Sequence, residues 1–262
     1  MRGLAHRVLR WGTDSQSPVI LLHGWMDTAE TWQFLIDEFP EAWAFAAPDW
    51  RGFGKTQAPQ GEYWFADYLA DLDLLLDMLS PDRPARVIAH SMGANVAMLY
   101  AGIRKGRLEW LVNLEGVGLA PMHPAEAPDR YLRWLDELRI PPRAPRYDRT
   151  EAIAEGLMRR NPRLPAARAR WLAAAHSADP RHRRINPVLY RREEAEACWA
   201  RIAIPVLLIL GERSEARRLA GPSLTATRVV TIPEAGHSMH LEDPAATARA
   251  IADFLAPRSA PD

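Results

Sequence analysis

The sequence predicts an α/β fold in which a mostly parallel central sheet carries helices on both faces. Two observations predict it. Short unbroken apolar runs recur along the chain, and stretches with apolar residues at helical spacing alternate with them. The runs lack the in-and-out alternation of a half-exposed strand, so they read as strands buried on both faces, the condition of a parallel sheet.

In chain order the strand candidates are 19–22, 43–47, 87–89, 110–114, 206–210 and 229–232, and the helical stretches between them are 30–39, 65–79, 94–103 and 245–255. Segment 118–203 breaks this rhythm. It holds Pro121, Pro124, Pro128, Pro141, Pro142 and Pro145, then Arg- and Ala-rich helical stretches, with no buried strand run. It reads as a mobile helical cap over the C-terminal edge of the sheet, where ligands bind in open α/β folds. Residues 1–117 and 204–262 then form the core, with 257–262 a frayed tail.

Composition narrows the function classes. With 48% hydrophobic and 25% charged residues the chain can bury a sizeable core. The 33 basic and 33 acidic residues cancel, so no global field favours nucleic acid or an anionic membrane surface. The arginines clustered over 159–192 read as a solvated helical face, since acidic residues are interleaved. Lys55 and Lys105 are the only lysines, the bias of a GC-rich bacterial genome. Cys198 has no partner for a disulfide, residues 1–11 hold no signal-peptide-length apolar run, and nothing approaches the roughly 18 apolar residues of a membrane span. A cytoplasmic enzyme is expected.

Chemistry is first suggested at Ala89-His90-Ser91-Met92-Gly93, a serine between a strand run and a helical run with small residues two before and two after it. This is a nucleophile-elbow pattern with Ala89 in the first glycine position. A strand turning abruptly into a helix needs small neighbours there, and it lifts the serine Oγ clear of the sheet. The backbone N–H of Met92, at a helix N-terminus, supplies half of an oxyanion hole. The other half is expected from Trp25, because 19–22 ends in His23-Gly24-Trp25. His23 reads as a hydrogen bonder within that turn, and Asp49 and Arg51 of Asp49-Trp50-Arg51-Gly52-Phe53-Gly54-Lys55-Thr56 read as loop structure. Near the C-terminus, Gly236-His237 follows the last strand run and offers a general base for Ser91, with His240 the competing candidate. Asp243 before Pro244 reads as a helix cap.

Together these motifs resemble the α/β-hydrolase fold superfamily in its serine-nucleophile, esterase- and lipase-like branch, over nearly the whole chain except the cap. The resemblance implies about eight strands, catalysis without metal or organic cofactor, and a cap that sets substrate range. One departure stands out. The family's usual acid lies three residues past a glycine after the seventh strand, where Leu210-Gly211-Glu212-Arg213-Ser214-Glu215 offers Ser214. Two replacements remain: Glu215, one residue later, and Glu115, which closes the apolar strand after the elbow helix. Glu115 resembles the acid of haloalkane dehalogenases that follows strand six, and a charge ending an apolar strand needs a partner such as a protonated histidine.

The expected function is a serine hydrolase cleaving an ester or related acyl bond of a small molecule, with Ser91, His237 and Glu115 as triad and Glu215 as the alternative acid. A C–C bond hydrolase or cofactor-free haloperoxidase with the same triad is an alternative. So is a non-catalytic binding protein on the same fold. Trp134, Trp171 and Trp199 read either as cap core or as the lining of an apolar acyl pocket.

Overall fold

A computed structural model of the chain describes residues 1–13, 17–141, 150–221, 224 and 226–256. Pro142, Pro145 and the 257–262 tail lie outside the described residues. The strands are β1 Val8–Trp11, β2 Val19–Leu22, β3 Phe45–Pro48, β4 Ala85–His90, β5 Leu108–Leu114, β6 Val206–Gly211 and β7 Arg228–Ile232. They form one sheet in the order β1-β3-β2-β4-β5-β6-β7, with β1 antiparallel to β3 and every other pairing parallel. Seven strands are described, against the eight the resemblance implied. β1 escapes a search for apolar runs because it is a short edge strand, VLRW, none of whose residues is fully buried.

The helices are α1 Gln33–Ile36, α2 Phe65–Leu79, α3 Ser91–Ile103, α4 Ala127–Leu138, α5 Thr150–Arg160, α6 Ala166–Ala175, α7 Arg192–Trp199, α8 Met239–Glu242 and α9 Pro244–Leu255. The single helix expected over 30–39 is instead a 3-10 turn, Ala29–Trp32, running into the one-turn α1. Asp243 caps α9 as expected, accepting the Ala246 N–H at 3.0 Å ahead of Pro244.

Successive strand residues face opposite sides, and the core divides accordingly. Ile20, Leu22, Val87, Ala89, Leu111 and Leu208 pack with α2, α3 and α7. Val19, Leu21, Ile88, Val112, Leu207 and Ile209 pack with α1, α8 and α9. Helices therefore cover both faces, as predicted.

The described part of segment 118–203 carries the helices α4 to α7 joined by irregular stretches, and these helices pack in more than one place. α5 and α6 share a small core of Ala154, Leu164, Ala169, Leu172 and Ala173, closed by Leu241 of α8. α7 instead packs on α3 and sends Trp199 into the main core. The crossing is so close that a Cβ on Gly102 would run into the Cys198 carbonyl. α7 lies between β5 and β6 in the chain and packs on the core helix α3. A 3-10 turn, Pro180–Arg183, ties this segment to the core: Arg181 donates to the carbonyls of Pro59 and Gly61 at 2.6 and 2.7 Å, and His182 stacks on Phe53 at 3.8 Å.

Candidate active site

The elbow is built at the β4–α3 junction. Ser91 has φ +50°, a left-handed conformation that a β-carbon disfavours, and it is the first residue of α3. Such strain persists because β4 and α3 are both fixed by the core around them. The Met92 N–H lies in the first turn of α3, where backbone amides have no intrahelical acceptor. The loop after β2 runs alongside: a Cβ on Gly24 would stand 2.9 Å from His90 Nδ1 and 3.3 Å from Ser91 Cβ. The absence of a side chain at Gly24 lets this loop approach the elbow so closely.

Three side chains expected to act together meet at this point. His237 Nε2 lies 2.9 Å from Ser91 Oγ, and His237 Nδ1 lies 2.6 Å from Glu115 Oε2. Because an ionised carboxylate only accepts, the proton sits on Nδ1 and Nε2 is free to accept the serine hydroxyl. Glu115 follows β5 with φ +55° and is 2% exposed. Asn113 holds the turn beyond β5, accepting the Gly116 N–H at 2.6 Å and donating to the Gly116 carbonyl at 3.0 Å. The Glu115 carboxylate takes two further donors, the Gly211 N–H at 2.6 Å and the Ser214 hydroxyl at 2.5 Å. A buried charge with three donors is satisfied.

Glu215, the alternative acid, is turned away. Ser214 caps the 3-10 turn Glu215–Leu219 by accepting the Ala216 N–H, which directs the next side chain outward. The Glu215 carboxylate pairs with Arg218 at 2.6 Å on the surface, with 79% of each side chain exposed.

Other histidines frame the site without replacing His237. His23 donates from Nδ1 to the Gly24 carbonyl at 2.8 Å and accepts the Trp50 N–H on Nε2 at 3.0 Å; burial lowers its pKa. His90 donates from Nε2 to the His237 carbonyl at 3.0 Å, which anchors the loop carrying His237. Burial, then the neighbouring His240 and His237, hold its pKa well down. His240 sits by Thr31 Oγ1 at 3.1 Å, and burial lowers its pKa to about 3. This anchoring role of His90 was not legible from sequence, though its place beside Ser91 was a signal. Asp27, His90 and His240 each bring one potential ligand atom within 4.8 Å of the others, the grouping among the described residues that could hold a metal ion.

Asp49 and Arg51 serve structure, as read from sequence. Asp49 accepts the Ala29 and Lys55 N–H groups at 2.7 and 2.9 Å, and Arg51 makes a two-pronged pair with Asp71 at 2.6 Å per bond.

Ser91 and His237 open into a cavity of about 750 Å³ between the sheet edge and α5, walled in part by Trp25, Ile153, Leu157 and Leu241. Trp25 and Met92 also border a second pocket of about 180 Å³ reached by Trp134. Of the cap tryptophans, Trp199 is core and Trp171 packs edge-on against Phe34, leaving Trp134 as the one beside a cavity.

A family model described as Alpha/beta hydrolase family matches residues 19–250. A Danio rerio serine hydrolase-like protein is 28% identical, the alignment covering 95% of this chain and 84% of that protein. A Bacillus subtilis (strain 168) protein, named as a candidate 2-succinyl-6-hydroxy-2,4-cyclohexadiene-1-carboxylate synthase, is 26% identical over 97% of this chain and 95% of its own length. Among solved structures, the thioesterase domain from the curacin biosynthetic pathway superposes with a TM-score of 0.84 over 97% of this chain and 96% of that one. At 23% identity that likeness speaks for the fold. Among the described residues no helix is long and apolar enough to cross a membrane.

Proposed function

The chain belongs to the alpha/beta hydrolase family, and from that premise we propose that it is a serine hydrolase acting on an ester or related acyl bond of a small molecule. The observation that carries the reading is the unbroken hydrogen-bonded line from Ser91 Oγ through both ring nitrogens of His237 to Glu115, with contacts of 2.9 and 2.6 Å. Ser91 attacks the acyl carbonyl while His237 Nε2 takes its proton, and Glu115 stabilises the imidazolium that forms. The backbone N–H groups of Met92 and Trp25 receive the oxyanion of the tetrahedral intermediate. On collapse the leaving group departs with the proton from His237. A water, deprotonated by the same nitrogen, then attacks the acyl-enzyme and releases the acid and Ser91.

In this reading the α5–α6 hairpin, part of the 118–203 cap, closes the acyl pocket and sets substrate range. Its apolar wall residues and the separate small core it shares with Leu241 support that role. Labelling by a fluorophosphonate probe, followed by a screen of p-nitrophenyl esters of increasing chain length, tests the proposal. A protein that neither labels nor turns over any acyl substrate would be a binding protein on this fold.

A further inference from the structure

The wall of the active-site cavity carries more positive charge than its own acids neutralise. Five arginines line it: Arg159, Arg160, Arg163, Arg183 and Arg213. Two of them are spent. Arg163 pairs with Asp243 at 3.1 Å and donates to the Pro233 carbonyl, and Arg213 pairs with Glu234. Among the described residues Arg159, Arg160 and Arg183 make neither an ion pair nor a side-chain hydrogen bond. They reach the cavity from two directions, Arg159 and Arg160 from the last turn of α5 and Arg183 from the Pro180–Arg183 turn.

Their charges act on the same ground. Burial first, and then Arg160 and Arg183, disfavour protonation of His176, and Arg160 favours the charged form of Asp27, in the loop beyond Trp25. Two acids remain in the wall beside them, Asp27 and Glu242. Burial raises the pKa of Asp27 to about 6, and it raises that of Glu242, which already accepts the Gly236 N–H at 3.3 Å. Glu215 is taken by Arg218. Three guanidiniums with no side-chain partner among the described residues thus line one cavity from its solvent-exposed side. The planar fork of arginine matches carboxylate and phosphate oxygens.

We infer that the substrate is an acyl compound whose far end carries anionic oxygens, a carboxylate or a phosphate, held by Arg159, Arg160 and Arg183 while its acyl carbon meets Ser91. The inference rests on the serine hydrolase reading and adds the substrate class.

Two matched substrate pairs test it and separate the two sources of charge. The p-nitrophenyl monoester of glutarate is compared with p-nitrophenyl valerate, and butyryl-CoA with the butyryl thioester of N-acetylcysteamine. At low ionic strength the charged member of at least one pair has a kcat/KM at least about tenfold higher, and the pair that shows the gap names the group. The double variant Arg160→Gln, Arg183→Gln brings that ratio to about one, whereas Arg170→Gln, which removes an exposed pair with Glu151 outside the cavity wall, leaves it in place. Equal values within both pairs, or a ratio the double variant does not move, overturns the inference. A parallel arm needs no turnover: by calorimetry, Ser91→Ala protein binds the glutarate monoester or CoA at least about tenfold more tightly than the same protein carrying the two arginine substitutions. Absence of such a difference for both ligands also overturns it. Fluorophosphonate labelling of the unaltered protein reports separately on the hydrolase reading, so the two can fail independently.

Discussion

The Ser214 hydroxyl donates to Glu115 Oε2 at 2.5 Å, the same oxygen that accepts from His237 at 2.6 Å. The position where a resemblance to the family led one to look for an acid therefore holds a donor to an acid brought from the neighbouring strand. β5 and β6 run parallel and adjacent, so the ends of both strands reach the same point under His237. Moving the carboxylate across one strand and leaving a hydroxyl behind keeps the buried charge satisfied.

Ser214→Ala removes that hydroxyl and leaves the Gly211 N–H and His237 as the donors to Glu115. The expected loss is about 1–3 kcal/mol of stability at neutral pH, the range for a buried charged group deprived of one partner. Urea denaturation measures it. Turnover should fall, but far less than on loss of Glu115 itself. A fully stable variant would mean that the hydroxyl contributes nothing to holding the carboxylate.

Ser91 offers a sharper test because its backbone is left-handed, with φ +50°. Ser91→Ala and Ser91→Gly should both abolish fluorophosphonate labelling. They should differ in stability, because Gly adopts this conformation without the clash that Ala meets. Ser91→Gly is expected to be more stable than Ser91→Ala by about 1 kcal/mol, seen as a higher Tm. Labelling that persists at another residue in either variant would remove Ser91 from the role proposed for it.

Much of this was legible in the sequence, and the failures have identifiable causes. The apolar runs marked the interior strands because a strand buried on both faces has no polar side, whereas β1 mixes Arg10 with apolar neighbours at the sheet edge. The elbow and Gly236-His237 could be read because local backbone demands restrict the residue types there. That α7 packs on α3 could not be read from sequence, since which neighbour a helix packs on depends on the tertiary course of the chain. The arginines of 159–192 looked like a solvated face. Only the fold shows that Arg159, Arg160 and Arg183 stand in the cavity wall while Arg170 pairs with Glu151 outside.

Two buried histidines make stability fall in mild acid. Burial is the leading cause in both, lowering the pKa of His182 to about 4 and that of His240 to about 3. Their folded-state values lie below the unfolded value of about 6.5, so the unfolded chain binds the protons first. Their full contribution is present above about pH 6.5 and is lost as pH falls from there toward the folded values. Each histidine should steepen the loss by about 1.4 kcal/mol per pH unit in that window. His182→Phe keeps an aromatic ring between Phe53 and Tyr63 but removes the titration. It should lower stability at pH 7 while making the decline between about pH 6 and 4.5 shallower by that amount, as urea melts at several pH values would show. An unchanged slope would mean His182 becomes protonated in the folded protein.

The acid assignment separates two residues that sequence alone leaves in competition. Glu115 Oε2 is 2.6 Å from His237 Nδ1 and the carboxylate is buried, while the Glu215 carboxylate pairs with Arg218 at the surface. Glu115→Gln preserves shape but presents a neutral amide, which neither fixes the Nδ1–H tautomer of His237 nor stabilises the imidazolium as Ser91 attacks. A loss of about 10⁴ in kcat is expected, on the scale of an acid-to-amide change in a serine-protease triad. Glu215→Gln removes one exposed ion pair, a change of about 1 kcal/mol or less in stability, with turnover nearly intact. The diagnostic is the kcat ratio of the two variants on one p-nitrophenyl ester, with Tm recorded alongside so that a folding defect in Glu115→Gln is not mistaken for lost chemistry. If Glu215→Gln proves the crippled variant and Glu115→Gln the mild one, the acid lies after β6 and the Ser214–Glu115 contact is structural alone.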